Sequence, residues 1–430
     1  MRQYKDSGTQ GIGLIPQSWD SKQLGVFFSE NRKANSYLES ITALQFKYGE
    51  IIQKPNNGRD LSDKDKDLLS KYTVIEPGDV VVNGLNLNFD LKSLRIAIAR
   101  ENGIITSAYI VLRPRKGVNS EYYNYVLKAL DFQKILHGMG EGIRLTLNYD
   151  ELKKLNVPAP ETAIQSAIVS YLDAKCGEID SLIALQEQMI EKLKTYKQSV
   201  ITEAVTKGLD PNAKLVPSGI DWIGEIPEGT KLVKLSMLTS KIGSGSTPRG
   251  GSSIYVKEGI KFLRSQNVYC EGFNLSDVAY ITEEIDKEMS GTRVQVGDVL
   301  LNITGGSIGR CYYVDETLGR ANVNQHVSII RPTKIQTKYL KYYLQSDCGQ
   351  TQIDLLQTGG NREGLSAAAL SQFLIVYPSR DDQNSIALYL DEKCAEIERL
   401  IALKQQKIES LKDYKKSVIY EAVTGKTIIE

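Results

Sequence analysis

The sequence predicts an α+β fold: two α/β domains with short-stranded sheets, joined and spaced by two long antiparallel coiled-coil helices in a tandem pseudo-twofold repeat. Two observations lead to this prediction. A helical segment at 165–206 returns at 383–424 without a gap and with most residues identical. Each copy follows a region of short strand patterns that opens on the same Gly/Pro-marked phrase. A repeat of this length indicates a duplicated structural unit.

The repeat predicts four parts in the 430-residue chain. They are a first globular domain at 1–160, a first spacer helix at 161–207, a linker with the second globular domain at 208–378, and a second spacer helix at 379–430. Gly208 is placed to end the first helix, and Pro211 prevents its resumption.

The repeated segments carry apolar residues at alternating spacings of four and three, which is the heptad pattern of paired helices. Each would be about 60 Å long as a continuous helix. A second, partly apolar seam suggests that each helix contacts more than one partner. Packing of the main stripe only inside this chain is the simpler alternative. The predicted pairing residues are Leu172, Ile179, Ile183, Ile190, Leu193, Leu390, Ile397, Ile401, Ile408 and Leu411.

The globular regions share landmarks although most of their residues differ. The lead-in at 6–24 returns at 217–235, and a turn with a buried strand at 77–83 returns at 296–302. A further strand closed by proline, at 108–114, corresponds to 326–332. Short helices are predicted at about 120–136 and 336–348. The framework is therefore alike and the loops differ, as expected for two recognition domains with different targets.

Composition limits the possible functions. Lys and Arg number 53 and Asp and Glu 52, so any basic surface must be local. Five cysteines lack a C-x-x-C pair, and Cys176 and Cys394 occupy matching apolar helix positions. The sequence has no secretory leader and no apolar stretch that could span a bilayer. We therefore expect a reduced, cytoplasmic protein that does not associate with membranes.

Catalytic motifs are not found. The only two histidines, His137 and His326, lack zinc-ligand spacing, so no metal site is expected. The Gly-Lys-Thr at 425–427 lacks the earlier glycine of a phosphate-binding loop and follows a helix instead of a strand. We expect no catalytic residues in this chain.

Polar, glycine-rich loops occur at like positions in both halves. Glycine allows close approach to a phosphate backbone, and Asn, Gln and Arg side chains can pair with base edges. Any one of these residues could instead belong to an ordinary turn, but as a set the loops favour a binding surface. The candidate DNA-binding residues are Lys47, Tyr48, Asn83, Asn86, Asn88, Arg95, Ser107, Arg144, Arg249, Arg264, Gln266, Asn267, Thr304, Ser307, Asn324, Gln325 and Arg362.

The chain resembles the specificity subunit of Type I restriction–modification enzymes. The resemblance rests on the repeated helix with its Tyr-Leu-Asp-x-Lys start and Glu-Ala-Val-Thr end, the lead-in at 218–227, the Gly-Asp-Val-Leu at 297–300 and the Asn-Gln-His-Val at 324–327. It covers essentially the whole chain, and the motif order matches.

This resemblance implies a non-catalytic subunit with two target-recognition domains, each reading one half of a split sequence in double-stranded DNA. The helices would act as a ruler, so that the bases between the half-sites go unread. Two modification subunits, which bind S-adenosylmethionine and methylate adenine, and restriction subunits, which use ATP and magnesium, would be the partners. None of these cofactors is expected on this chain.

An alternative function is a scaffold that joins two protein-binding domains through a paired-helix strut without contacting DNA. The near-neutral charge is compatible with this alternative. If the helices are a ruler, inserting helical turns after Thr206 should lengthen the unread spacer and leave the half-sites unchanged.

Overall fold

The computed structural model describes residues 3–47, 49–55, 62–88, 93–140, 145–357 and 364–429. The chain divides into two compact units. Unit 1 comprises Met1–Gln186 and Gln405–Glu430, and unit 2 comprises Glu187–Lys404. Each long helix therefore contributes one part to each unit. The division into compact units cuts each long helix into two parts and does not separate the helices from the globular regions. The predicted four-part division by residue number therefore stays a prediction.

Unit 1 is built from short strands and a few helices. Its strands are β1 (Tyr4–Asp6), β2 (Leu14–Pro16), β3 (Asp20–Gln23), β4 (Phe28–Glu30), β5 (Leu44–Lys47), β6 (Glu50–Gln53), β7 (Thr73–Ile75), β8 (Val80–Val82), β9 (Ile96–Ile98), β10 (Gly103–Ile105), β11 (Ile110–Pro114) and β12 (Asn156–Ala159). Its helices are α1 (Asp63–Ser70), α2 (Ser120–Phe132), α3 (Tyr149–Leu152), the first part of α4 (Thr162–Lys207) and the last part of the second long helix (Arg380–Val423).

The central sheet of unit 1 is antiparallel, in the order β4-β11-β8-β9. The three valines of β8 are fully buried, because the sheet is covered on both faces. β-Branched residues favour this extended backbone. The turn before β8 contains Gly78 with φ +93°, a conformation that glycine adopts without strain.

Unit 2 repeats this plan. Its strands are β13 (Leu215–Pro217), β14 (Glu225–Pro227), β15 (Lys231–Lys234), β16 (Thr239–Ser244), β17 (Ile260–Leu263), β18 (Val268–Tyr269), β19 (Gly272–Phe273), β20 (Ala279–Ile281), β21 (Val299–Asn302), β22 (Cys311–Tyr313), β23 (Ala321–Val323), β24 (Val327–Pro332) and β25 (Leu374–Tyr377). The helices after α4 are α5 (Glu283–Glu288), α6 (Thr337–Gln345), α7 (Asp347–Leu356), α8 (Ala367–Ser371) and α9 (Arg380–Val423).

The central sheet of unit 2 has the order β16-β24-β21-β22, which matches that of unit 1 strand for strand. A second sheet, β20-β17-β23, contains a parallel pair between β17 and β23. This parallel pair was not predicted from the sequence. The predicted strands at 77–83, 108–114, 296–302 and 326–332 and the two short helices are confirmed.

The same buried ion pair holds the central sheet in both units. Arg113 donates two hydrogen bonds to the carboxylate of Asp79, at 2.9 and 2.7 Å. Arg331 does the same to Asp298, at 2.7 and 2.8 Å. Both carboxylates are at most 1% exposed. Hydrogen bonding to Asp298 raises the pKa of Arg331, so this arginine stays charged through the accessible pH range.

A tyrosine on the short helix ties each globular region to a long helix. The hydroxyl of Tyr125 on α2 donates to Asp173 on α4 at 2.7 Å. The hydroxyl of Tyr342 on α6 donates to Asp391 on α9, also at 2.7 Å. Asp173 and Asp391 are equivalent positions of the repeated helix. Each unit is therefore secured to the amino-terminal part of one long helix by the same bond.

The long helices pair antiparallel inside each unit. In unit 1 Lys415 forms an ion pair with Asp180 at 2.7 Å, and in unit 2 Lys197 forms one with Glu398 at 2.6 Å. Asp180 is equivalent to Glu398 in the repeat, and Lys415 is equivalent to Lys197. The two helices therefore pair in the same register in both units. The predicted stripe is buried at Leu172, Ile179, Ile190, Leu390, Ile397, Ile408 and Leu411, and half-buried at Ile183, Leu193 and Ile401.

The second seam is exposed. Leu182, Leu185 and Tyr414 are 44–55% exposed in unit 1, and their equivalents Leu400, Leu403 and Tyr196 are 42–55% exposed in unit 2. Gly208, with φ +78°, lies directly after the end of α4, as predicted. Within the described part of the chain, no helix is both long and apolar enough to cross a membrane.

Candidate nucleic-acid interface

In unit 2 several loops meet at the edge where β21 ends and β24 begins. Ile303 donates its backbone N–H to His326, and Asn324 donates to Leu263 at the end of β17, both at 3.0 Å. Ser246, after β16, donates to Val323 at 3.3 Å. We call residues 245–251, 264–267, 303–310 and 322–326 the unit 2 loop surface. It brings together the second-half candidates except Arg362, which lies outside the described residues.

Glycine sets the position of one of these loops. A Cβ atom on Gly245 would lie 2.0 Å from the carbonyl oxygen of Val323, closer than any side chain permits. The loop that carries Arg249 is thereby held against β23, and Arg249 itself is exposed. A guanidinium placed on a short, anchored loop can reach a phosphate or a base edge.

His326 organises the polar side chains at the centre of this surface. Its Nδ1 lies 2.6 Å from the hydroxyl of Thr304, and its Nε2 lies 3.3 Å from the amide nitrogen of Gln325. The side-chain oxygen of Asn324 accepts a hydrogen bond from the His326 backbone at 3.1 Å. The sequence placed His326 in the Asn-Gln-His-Val motif at 324–327 and argued against a metal-ligand role, but it did not predict these contacts. Gln325 remains exposed and available, whereas Asn324 is 8% exposed and shapes the turn.

The segment after β17 holds all three of its candidates in internal hydrogen bonds. Asn267 was expected to face DNA, but it is only 1% exposed. Its side-chain oxygen accepts a hydrogen bond from the Arg264 backbone, and its side-chain nitrogen donates one to the Asn274 carbonyl. Its role is therefore structural. The Arg264 guanidinium donates to the Asp277 carbonyl at 2.8 Å. Gln266 is exposed and bonds the Asp277 carboxylate at 2.6 Å. Both Arg264 and Gln266 would have to exchange these partners to contact DNA.

Ser307 and Arg310 complete the unit 2 loop surface on the β22 side. Ser307 is half-buried in the loop after β21. The Arg310 guanidinium lies over the ring of Tyr269, 5.0 Å from its centroid. An arginine stacked on a half-exposed tyrosine is a site where a base or a phosphate could be held. Tyr269 was missed from the sequence because nothing local distinguishes it from a core aromatic.

Unit 1 has a corresponding edge where β8 ends and β11 begins. We call Lys47 with residues 83–88, 93–94 and 106–108 the unit 1 loop surface. Asn83 is half-buried, and its side chain accepts from the Leu85 backbone at 3.2 Å. Asn86 has φ +51°, a left-handed conformation that asparagine tolerates. The exposed candidates on this surface are Lys47, Asn86, Asn88 and Ser107.

Arg95 does not face solvent, contrary to expectation. It is 2% exposed and its guanidinium donates to the carbonyls of Asn83 and Leu85, at 3.1 and 2.8 Å. Its Nε donates to His137 Nε2 at 3.3 Å. A buried guanidinium needs this many acceptors, and the loop carbonyls supply them. Arg95 therefore holds the loop that carries Asn86 and Asn88. The candidates Tyr48 and Arg144 lie outside the described residues.

Unit 2 contains a buried lysine. Lys341 on α6 is 5% exposed, and its Nζ lies 3.3 Å from the ring centroid of Tyr342 and 4.0 Å from Asp391. Burial lowers the pKa of Lys341 to about 8. Unit 1 has Asn124 at the corresponding place on α2. This lysine contributes to the core and is not part of the loop surface.

Comparisons with known proteins agree with this architecture. The family model described as the Type I restriction modification DNA specificity domain matches residues 227–413. The specificity subunit of the Type I restriction enzyme MjaVIII from Methanocaldococcus jannaschii is 25% identical over 370 residues, covering 84% of this chain and 83% of the relative. That of EcoKI from Escherichia coli K12 is 21% identical over 441 residues, covering 96% and 90%.

The chain is therefore similar along most of its length to Type I restriction–modification specificity subunits, and residues 227–413 match their DNA specificity domain. Two solved structures share the fold. A chain from the structure describing complex assembly and conformational transition of the type I R-M system has a TM-score of 0.69 at 16% identity, covering 95% of this chain and 98% of that one. The HsdS subunit from Thermoanaerobacter tengcongensis has a TM-score of 0.50 at 16% identity, covering 96% and 98%.

Proposed function

We propose that this chain is a non-catalytic DNA specificity subunit of a Type I restriction–modification complex. Each unit reads one half of a two-part, asymmetric sequence in double-stranded DNA through its loop surface. The supporting observation is the contrast between a shared frame and different edge residues. Arg113–Asp79 and Arg331–Asp298 hold the same sheet in both units. At the start of β11 and β24, however, Ser107–Ala108 stands where unit 2 has Gln325–His326. Equivalent scaffolds with different polar groups are suited to different base sequences.

We propose further that the helices α4 and α9 set the number of unread base pairs between the two half-sites. Each helix contributes to the core of both units. Val200, Ile201 and Val205 of α4 are buried in unit 2, and Leu172 and Cys176 are buried in unit 1. A continuous helix fixed at both ends keeps a constant length, because its rise per residue is constant.

The exposed seam of the helices is the docking surface we propose for two modification subunits. The same residue types, two leucines and a tyrosine, are exposed in each unit, so the chain offers one equivalent patch per unit. Exposed apolar patches of this kind mark protein interaction sites. S-adenosylmethionine would bind to the modification subunits, and ATP and magnesium to restriction subunits. We expect the complex to act in the cytoplasm, on cellular DNA.

The test is a methylation map of the chain assembled with its modification partner. The expected result is two short defined sequence blocks separated by a fixed number of unread base pairs. Gln325→Ala should relax one block only, and Ser107→Ala, its matched control at the equivalent position, should relax only the other. A scaffold that does not touch DNA would give no gel shift with duplex DNA, with or without the partner, and that result would overturn the proposal.

A further inference from the structure

Unit 2 contains a pocket of about 470 Å³ where α4 ends and α9 begins. Its apolar walls come from Val205, Val376 and Ile386, each at most 2% exposed to solvent, and from Pro227. Pockets of this size in proteins are large enough to bury a small organic group. The pocket lies apart from the unit 2 loop surface, and the proposed reading of DNA does not use it.

Unit 1 fills the equivalent place with its own side chain. The lead-in repeat aligns Trp19 with Thr230, since Ile15-Pro16 aligns with Ile226-Pro227. Trp19 is 3% exposed and belongs to the unit 1 core. A Cβ atom on Gly425, just after α9, would lie 2.9 Å from the Trp19 ring and 2.5 Å from Pro16. The indole therefore closes the end of the helix pair in unit 1.

Unit 2 leaves the same place open. The gap-free repeat aligns Gly425 with Lys207, the last residue of α4. A Cβ atom on the next residue, Gly208, would have no neighbour nearer than Pro227 at 3.8 Å. The smaller Thr230 replaces the indole, and this threonine lines the pocket. The open volume therefore lies beside the position that Trp19 occupies in unit 1.

A second replacement gives the pocket its polarity. Asp382 in the first turn of α9 stands where unit 1 has Ile164, which packs partly buried on the unit 1 core. Asp382 is exposed at the pocket, together with Asp210 from the linker. The carboxyl-terminal turn of α4 forms another wall, and carbonyl groups there carry partial negative charge. Lys207 supplies one positive charge against these acceptors. The mouth therefore favours a hydrogen-bond donor or a cation.

We propose that this pocket binds an indole-sized planar aromatic group that carries a cationic or N–H donor group next to the ring. The ring occupies the place that Trp19 fills in unit 1, and the donor faces Asp382. The ligand is either a free aromatic amine or a tryptophan side chain beside a basic residue in a polypeptide. Both sources share this chemistry.

Calorimetric titration of the full chain with tryptamine tests the proposal. Indole-3-propionate, which has a similar ring but a negative charge, should bind roughly tenfold more weakly. A blocked Gly-Gly-Trp-Lys-Gly peptide distinguishes the sources. If the peptide binds at least tenfold more tightly than tryptamine, the ligand is a tryptophan side chain. If it binds less than tenfold more tightly than tryptamine, the ligand is a free amine.

Two substitutions copy unit 1 into unit 2. Thr230→Trp should fill the pocket and abolish tryptamine binding, while Thr230→Val, which keeps the size of threonine, should retain it. Asp382→Ile should weaken tryptamine and remove the discrimination against indole-3-propionate, and it does not depend on a new indole fitting the site. Absence of binding by tryptamine and by the peptide at millimolar concentration overturns the proposal. So does binding that both Thr230→Trp and Asp382→Ile leave unchanged.

Discussion

Inserting one heptad into both long helices should lengthen the unread spacer by about three base pairs. The insertions belong after Gln186 in α4 and after Lys404 in α9, where the two compact units meet along the sequence. Copies of residues 180–186 and 398–404 keep the apolar stripe in phase, because the pairing repeats every seven residues. The Asp180–Lys415 and Lys197–Glu398 pairs remain within their own units.

The magnitude follows from the helix rise. Seven residues at 1.5 Å each add about 10.5 Å, and one base-pair step is about 3.4 Å, so the spacer should grow by about three base pairs. Three base pairs also turn the DNA by about 100°, since one turn takes about 10.5 base pairs. We therefore expect weaker binding as well as a longer spacer, because the second unit must follow the rotated groove.

The assay is selection from a duplex library in which both half-sites are fixed and the spacer length varies. The preferred length should rise while the half-site sequences stay constant. The matched control inserts a copy of residues 180–186 after Thr206. From the sequence alone, an insertion at this site was expected to lengthen the spacer. Val200, Ile201 and Val205 precede that point and already pack in unit 2, so the control should leave the spacer unchanged. An unchanged preferred length in the double insertion, or altered half-sites, would refute the ruler.

Three further predictions concern single side chains. Arg95→Ala should lower the free energy of unfolding by about 3–5 kcal/mol in a denaturant titration, because buried loop carbonyls lose their donor. The matched control Arg249→Ala, at an exposed arginine, should change it by less than about 0.5 kcal/mol, and equal effects would contradict the structural role of Arg95. Lys341→Met should have a larger free energy of unfolding than the unaltered protein at pH 7. Denaturant titrations should show this difference shrinking by about 3 kcal/mol as pH rises from 8 to 10.5. In that window the unfolded chain still holds the lysine proton and the native chain has lost it, so the unaltered protein gains stability; a pH-independent difference would contradict this. Gln325→Ala should cost about 1–3 kcal/mol at a single base pair in competition binding, whereas Arg249→Ala, if it contacts phosphate, should weaken all duplexes alike and lower the salt dependence.

Local periodicity made the helices and sheet strands predictable. The stripe of Leu172 and Ile179 follows from heptad spacing alone, and the strand at β8 follows from three consecutive valines after a Gly turn. The end of α4 at Gly208 follows from the preference of glycine for the left-handed region. These features depend on neighbours in sequence, and they needed no knowledge of the rest of the fold.

The interface was only partly predictable, because burial of polar groups depends on distant partners. Arg95 looks like a surface cation until its acceptors from residues 83–86 and His137 are placed around it. Asn267 looks like a base reader until the turn around it closes. The pocket beside Thr230 differs from these cases. Aligning the two lead-ins already sets Thr230 against Trp19, so the missing indole was visible in the sequence.

The discontinuous make-up of unit 1 has a consequence for the order in which the protein folds during synthesis. Its core includes Val418, Ile419, Ala422 and Val423, and the hydroxyl of Tyr420 donates to the carbonyl of Ile12 at 2.9 Å. These residues leave the ribosome after every residue of unit 2, which is one continuous stretch. Unit 1 therefore cannot complete its core until all of unit 2 has been translated. Until then, part of the apolar surface of unit 1 stays uncovered.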